Sequence, residues 1–329
     1  MTIVLSRSTV AVTGGAGLIG SFLVDELVAK GARVIVIDDF SKGLRQNIAH
    51  HGESIELREG DLEKPDFAMA ALAGCEAVFH LASRAYGVGY AKGRHTEILQ
   101  HNERITDNIL AAVAAHRPKR LLVASSSCVY DDHGPDTIPE LPLFDGEPER
   151  ANLGYGWAKR FLEQKALIYA GETGVAVTIV RPFNIYGERY KWVGEFSQAI
   201  PMLVKKILDG DDPVTVWGSG RQRRNYIHAA DCARIMLRLI ESGHTDGPVN
   251  IGTEDTVSLR ELVQMICGIA GKTPHLEFDS SKPEGRFVKS ADATKLRAVL
   301  PDLRFRVDLS EGLQRMVGWY HKTFADQAR

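Results

Sequence analysis

The feature that most narrows the fold is the glycine run Gly14-Gly15-Ala16-Gly17-Leu18-Ile19-Gly20. It sits between an apolar β-like stretch, Thr9 to Thr13, and an amphipathic helical stretch, Ser21 to Lys30. Strand, glycine turn and helix in that order open a βαβ unit, in which a dinucleotide pyrophosphate rests on the helix N-terminus. Gly14 allows the tight turn, Gly17 lets the backbone approach the phosphates, and Gly20 permits close helix packing. With Leu18 and Ile19 they are the candidate cofactor contacts, at a G-x-x-G-x-x-G spacing rather than G-x-G-x-x-G. A second strand, Arg33 to Ile37, ends in Asp38-Asp39. A carboxylate there can bind both ribose hydroxyls of NAD and would repel the 2′-phosphate of NADP. Lys42 and Arg45 follow closely enough to soften that preference.

The rest of the chain suits such a beginning. Its 329 residues, 44% hydrophobic and 25% charged, are ample for one large domain or two smaller ones. A formal net charge of −2 supplies no global field for nucleic acid or an anionic membrane. No apolar run is long enough to cross a bilayer, and Thr2 to Leu5 is too short for a signal-peptide core. The four cysteines, Cys75, Cys128, Cys232 and Cys267, show no C-x-x-C spacing. That reads as a reduced, cytoplasmic protein with no metal site.

β-like and helix-like segments alternate through the first half, which predicts an α/β fold: a doubly wound parallel sheet of the Rossmann type. Strands are expected at 54–58, 76–80, 121–124 and 175–180, with a long helix from about Thr96 to His116. Beyond Asn184 the rhythm changes, with helices at 200–208, 231–241, 258–270 and 309–325 and more turns between them. Residues 1–183 are therefore assigned to nucleotide binding and 184–329 mainly to a smaller C-terminal α/β substrate lobe, with some interleaving. Pro135 to Pro148 is the most loop-like stretch.

Tyr155 and Lys159 form a Tyr-x-x-x-Lys pair. Residues four apart share a helix face, so the ammonium can sit beside the phenol and favour its ionised form. A phenol eased from its ordinary value of about 10 can act as a general base on an alcohol. Alone, such a pair is more often a solvated face; downstream of a nucleotide turn it points to redox chemistry on a sugar-like hydroxyl.

These elements, with Asp61-Leu62, His80-Leu81-Ala82-Ser83, Ser125 to Tyr130, Arg181-Pro182-Phe183-Asn184 and Gly218 to Asp231, resemble the extended short-chain dehydrogenases/reductases that act on nucleotide sugars. The resemblance spans nearly the whole length. It implies that Asp61 and Leu62 border the adenine, that Leu81, Ala82 and Ser83 line the middle of NAD, and that Asn102 supports the site's backbone. Ser126 would hydrogen-bond the reacting hydroxyl, Tyr155 would take its proton, and Lys159 would hold the nicotinamide ribose. Pro182 would lie near the nicotinamide, with Ser127 and Asn184 near the substrate. The implied partner is a GDP- or UDP-linked sugar, and the implied assembly is a homodimer through the helices that start near Thr96 and Tyr155.

The segment Ser125-Ser126-Ser127-Cys128-Val129-Tyr130 bears on the specific reaction. In 4,6-dehydratases the Ser127 and Cys128 positions carry acidic groups, so dehydration is not expected. Cysteine at position 128 resembles GDP-mannose 3,5-epimerases and GDP-fucose synthases, where it serves as a carbon base beside a 4-keto sugar. The expectation is an epimerase using Cys128 in that way. Two alternatives stay open: a C4-epimerase or 4-dehydrogenase with Cys128 a small buried spectator, and a non-catalytic NAD-sensing regulator. A second proton-transfer group, which both resembled enzymes place after the N-x-Y-G turn, is not evident; the aligned position falls near Gln198, and Lys191 or Glu195 would be off in spacing. The resemblance also implies Arg224 and Arg286 as the diphosphate clamp, a role that guanidinium forks suit because they match phosphate oxygens. His80, His101 and His228 lack paired ligand spacing and read as hydrogen-bonding rather than metal-binding residues.

Overall fold

The computed structural model describes residues 3–85, 87–193, 198–282 and 285–324. β1 (Thr9–Thr13) passes through the glycine turn into α1 (Leu18–Ala29), and β2 (Arg33–Asp38) and β3 (Ile55–Glu59) follow. Next come α2 (Pro65–Ala71), β4 (Ala77–His80), the short α3 (Val88–Ala91), α4 (His95–His116) and β5 (Arg120–Ala124). β6 (Thr137–Ile138), α5 (Leu153–Thr173) and β7 (Ala176–Pro182) complete the first half. The second half opens with β8 (Ile185–Tyr186), α6 (Ala199–Asp209), β9 (Val214–Trp217), β10 (Arg223–Arg224) and β11 (Ile227–His228). It continues through α7 (Ala229–Ser242), β12 (Pro248–Ile251), β13 (Val257–Ser258) and α8 (Leu259–Ala270). β14 (Leu276–Asp279), β15 (Val288–Ala291), α9 (Thr294–Val299) and α10 (Leu309–Phe324) end it.

Seven strands stand in one parallel sheet in the order β12-β7-β5-β4-β1-β2-β3. Strands covered on both faces need no polar alternation, and β4 and β5 are buried at every position. On one face α1 and α7 bury Leu23, Val24, Leu27, Ile235, Met236, Leu239 and Ile240. On the other, α2, α4 and α5 bury Ala68, Ile109, Val113, Leu162 and Ala166. The doubly wound Rossmann fold is thus as expected. The strand order reverses between β1 and β4, and in open parallel sheets the crevice at such a switch point receives ligands.

The second half is not a separate block. It returns β12 to the edge of the main sheet and α7 to its face, while α6, α8 and α10 close a core of their own around Leu203, Ile207, Leu262, Ile266 and Leu313. α8 begins with a full capping box: Ser258 Oγ accepts from Glu261 N at 3.1 Å and Glu261 Oε2 accepts from Ser258 N at 2.6 Å. The 135–148 stretch, expected as loop, contains β6, whose two residues pair with Ser290 and Ala291 of β15. No helix among the described residues is long and apolar enough to cross a membrane.

Candidate active site

A cavity of about 1010 Å³ runs along the carboxyl ends of β1, β2, β4, β5 and β7 and continues against α6, β9 and β10. That exceeds the space a drug-sized ligand needs and suits a dinucleotide with a second ligand beyond it. Gly14, Gly17, Leu18, Ile19 and Gly20 line one end. Gly14 has φ +68°, and a Cβ there would lie 3.0 Å from the Ala82 backbone. A Cβ on Gly20 would lie 2.1 Å from the Gly14 carbonyl oxygen, so the turn and α1 meet backbone to backbone. No acidic residue occupies the first turn of α1, leaving its N-terminal dipole uncompensated towards the cavity.

Asp38 braces this cradle. Its Oδ2 accepts from Ala16 N at 2.9 Å and its Oδ1 from Phe40 N at 2.9 Å. Burial raises its pKa, and those two N–H donors pull it back. Asp39 is exposed and accepts from Ser41 N and Oγ. Lys42 lines the cavity beside them and donates to the Ala85 carbonyl, its pKa pushed down to about 8 by burial and by Lys191. Arg45 is engaged elsewhere, paired with Glu59 at 2.5 Å and stacked 3.9 Å over Phe40. Asp61, Leu62, Leu81, Ala82 and Ser83 all line the same cavity. Asn102 does not; it clasps the Arg84 backbone, accepting from N at 2.9 Å and donating to O at 3.2 Å. It supports the wall rather than touching what fills it. The turn with no room for side chains, the dipole, and Asp38 and Asp39 in the same cavity fit NAD.

Further along stand Ser126, Ser127, Cys128, Tyr155, Lys159, Pro182 and Asn184. Ser126 caps the turn after β5, accepting from Cys128 N at 3.1 Å. The Tyr155 phenol has its pKa raised, by burial first and then by Cys128, with Ser83 and Ser126 pulling it back. Lys159 Nζ lies 5.4 Å from the centre of the Tyr155 ring but donates to the Ala124 carbonyl at 2.7 Å. Burial drives its own pKa down to about 7. The expectation that Lys159 lowers the phenol is therefore corrected: the pair is adjacent, but desolvation dominates both groups. Behind it Glu163 accepts from Ser125 Oγ and takes a bidentate Arg181, at 2.9 and 2.8 Å. Arg181 also reaches Tyr130 at 2.8 Å. Asn184 sits at φ +43°, a conformation asparagine tolerates.

The expectation for Cys128 also changes. Burial first, and then the nearby Glu149 carboxylate, push its thiol pKa up to about 12. Glu149 in turn is held down to about 2: burial opposes its charge, but Lys289 outweighs it, 3.0 Å away. A thiol so placed is a poor carbon base. Glu149 and Lys289 line the cavity and were not foreseen, because no spacing links them to Cys128. Of the two arginines, Arg224 lines the cavity; Arg286 does not, donating to the carbonyls of Asp131, Gly134 and Pro135 at 2.6–2.9 Å. The expected two-arginine clamp is thus replaced by one arginine at the cavity and one tying down a loop. Gln198 accepts from Tyr190 at 2.8 Å and Lys191 donates to the Ser41 carbonyl at 2.7 Å, while Glu195 lies outside the described residues. His80 bonds Thr13 at 2.8 Å and His228 bonds Glu188 at 2.8 Å; His101 pairs with Glu63.

Residues 10–252 match the profile of the NAD dependent epimerase/dehydratase family. The chain is 30% identical over 317 residues to a UDP-N-acetyl-alpha-D-glucosaminuronate decarboxylase of Bacillus cytotoxicus, covering 94% of this chain and 97% of that one. Among solved structures it is similar to the UDP-glucose 4-epimerase of Thermotoga maritima, with TM-score 0.84, 26% identity and 96% and 99% of the two chains covered. The UDP-glucuronic acid 4-epimerase of Bacillus cereus, solved with UDP-glucuronic acid and NAD, gives TM-score 0.83, 26% identity and coverage of 96% and 99%.

Proposed function

The chain belongs to the NAD-dependent epimerase/dehydratase family, and from that premise we propose that it is a nucleotide-sugar 4-epimerase working through a transient 4-keto sugar. The observation that carries this reading is the convergence of Tyr155, Ser126 and Lys159 in the cavity that begins at the glycine turn. Bound NAD would supply reversible hydride acceptance. Ser126 orients the sugar C4 hydroxyl, and Tyr155 removes its proton as the C4 hydrogen departs. Lys159, beside Tyr155, would hold the ribose of the cofactor. Returning hydrogen to the opposite face of the ketone inverts C4 with no net redox change. The thiol state of Cys128 supports inversion at C4 alone rather than exchange at C3 or C5.

The substrate on this reading is a UDP-linked sugar, with GDP-linked sugars the competing class, and Arg224 meets its diphosphate. A homodimer through α4 and α5 is supported by the exposure of Leu167 and Ile168, at 43% and 51%, on the outer face of α5. Likeness to a uronate decarboxylase favours a second reading, in which a uronic substrate is oxidised at C4 and the resulting β-keto acid loses CO2. Both are tested by incubating the NAD-loaded protein with UDP- and GDP-hexoses and UDP-uronates in D2O, followed by NMR and mass spectrometry of the sugars. C4 inversion without deuterium at C3 or C5 supports the epimerase. Release of CO2 with deuterium at C5 gives the decarboxylase, and no turnover of any nucleotide sugar sinks both.

A further inference from the structure

We propose that Asp25, His50 and His51 form a binding site for one divalent transition-metal ion of the zinc class, outside the cavity described above. Asp25 stands on α1, and the two histidines are neighbours in the segment Ala49–Ser54 that leads into β3. Both imidazoles bring Nε2 to the same carboxylate oxygen, His50 at 2.9 Å and His51 at 2.7 Å from Asp25 Oδ1. The three ligand atoms all lie within 4.8 Å of one another. Adjacent residues in a turn of three leave the backbone about 120° apart. These two rings nevertheless come together, with centroids 4.1 Å apart and planes at 40°. None of the three is among the residues lining the cavity. The expectation of no metal site, drawn from the cysteines and from His80, His101 and His228, left this trio out.

The backbone beneath the site is anchored on both sides. Ile48 is buried in the core shared by α1 and α7. Asn47 Nδ2 donates to the Ala16 carbonyl at 2.9 Å and to the Arg189 carbonyl at 3.1 Å, and His51 N donates to the Ile48 carbonyl at 3.1 Å. The carboxylate is oriented from its far side: Arg189 lies 2.7 Å from Asp25 Oδ2, its guanidinium stacked 4.1 Å over the Phe22 ring. A ligating carboxylate held by its second oxygen presents the first in one direction. The same guanidinium puts a positive charge near the ion, so the site is weaker than one with no cation beside it. Two imidazole nitrogens and one carboxylate oxygen are donors that zinc, nickel and copper accept, whereas magnesium and calcium take oxygen. Zinc bonds of about 2.0–2.1 Å in a tetrahedron hold the ligand atoms about 3.3 Å apart, with water in the fourth position. The two imidazole-to-carboxylate distances open by about half an ångström to admit it, and His50, 51% exposed, is the side chain with room to give way. Once bound, the ion staples α1 to the turn before β3, and because the unfolded chain has no such site, binding stabilises the fold.

The test uses the full-length chain without a histidine tag, stripped of metal with EDTA and then dialysed against Zn2+, with bound zinc counted per chain by plasma mass spectrometry. The wild type should take up one zinc per chain, and saturating zinc should raise its melting temperature by a few degrees. His50→Gln and His51→Gln each keep an amide N–H for Asp25 but lose a metal donor. Each should weaken zinc binding roughly tenfold or more and remove most of the thermal shift, while the metal-free proteins melt close to wild type. Co2+ in place of zinc should give the wild type the visible absorption of tetrahedral coordination and should not give it to His51→Gln. A wild type that takes up no zinc overturns the proposal and leaves the trio a set of hydrogen bonds. Zinc uptake that both variants leave unchanged overturns it too, by putting the ion elsewhere in the chain. If the more buried His51→Gln does not fold, the half-exposed His50→Gln decides alone. None of these outcomes depends on which nucleotide sugar the cavity takes.

Discussion

Lys159 is a cation that the fold desolvates, and stability should register that. Its pKa falls from the ordinary 10.5 to about 7, so between those values the unfolded chain binds the proton more tightly than the folded one. The destabilisation is full below pH 7 and fades as pH rises towards 10.5. Lys159→Met should therefore raise the melting temperature by several degrees at about pH 6 and by clearly less at about pH 9. Equal gains at both would show that buried charge is not the cause. Tyr155→Phe removes the proton acceptor without altering the packed ring, and C4 turnover should fall ~100- to 10,000-fold with NAD affinity and melting unchanged. A loss of NAD binding in parallel would recast Tyr155 as a cofactor contact. Tyr155 and Lys159 were legible in the sequence because four residues of helix bring them together locally. Glu149 and Lys289 were not, since 140 positions separate them and only the fold unites them. Arg286 was misread for a related reason: an arginine in a sequence shows its charge, not which carbonyls will claim it.

At the level of elements, the glycine turn holds strand and helix at a distance only hydrogen allows. Gly20→Ala places a methyl 2.1 Å from the Gly14 oxygen, backbone that cannot swing aside as a side chain could. The expected outcome is at least a tenfold loss of NAD affinity, by fluorescence titration, together with a lower melting temperature. An unchanged affinity would mean that the turn relaxes without losing its cradle. The helices and strands that were expected lie within a few residues of where the fold has them, because period 3.6 and continuous apolar runs are local signals, while β12, β15, α2 and α9 were not expected. β6 was not: two residues carry no period, and Thr137 and Ile138 become a strand only because β15 supplies partners from far along the chain. The same holds for β10, whose two residues, Arg223 and Arg224, become a strand only by pairing with β13 and β15.

Over the whole molecule, the seven-stranded sheet is not the property of the first half. β12 extends it beyond β7, with Val249 beside Val180 and Ile251 beside Pro182. α7 covers the face on which α1 lies, so Phe22, Leu23, Val24 and Leu27 share a core with Ile235, Met236, Leu239 and Ile240. The boundary at residue 183 was drawn where the local rhythm changes, and local rhythm does not reveal that the chain leaves a sheet and later comes back to it. Energetics decide what that return is worth. Exposing four large apolar side chains of α1 costs about 1.5–3 kcal/mol each, or roughly 6–12 kcal/mol together, comparable with the 5–15 kcal/mol that holds an ordinary domain folded. Residues 1–183 expressed alone should therefore show no cooperative thermal transition by circular dichroism and should bind an apolar dye, even though every residue of the glycine turn and the Tyr155–Lys159 pair is present. A sharp melt in that fragment, with NAD affinity retained, would mean that the first half is an autonomous nucleotide-binding domain and that α7 and β12 are additions to it rather than parts of its core.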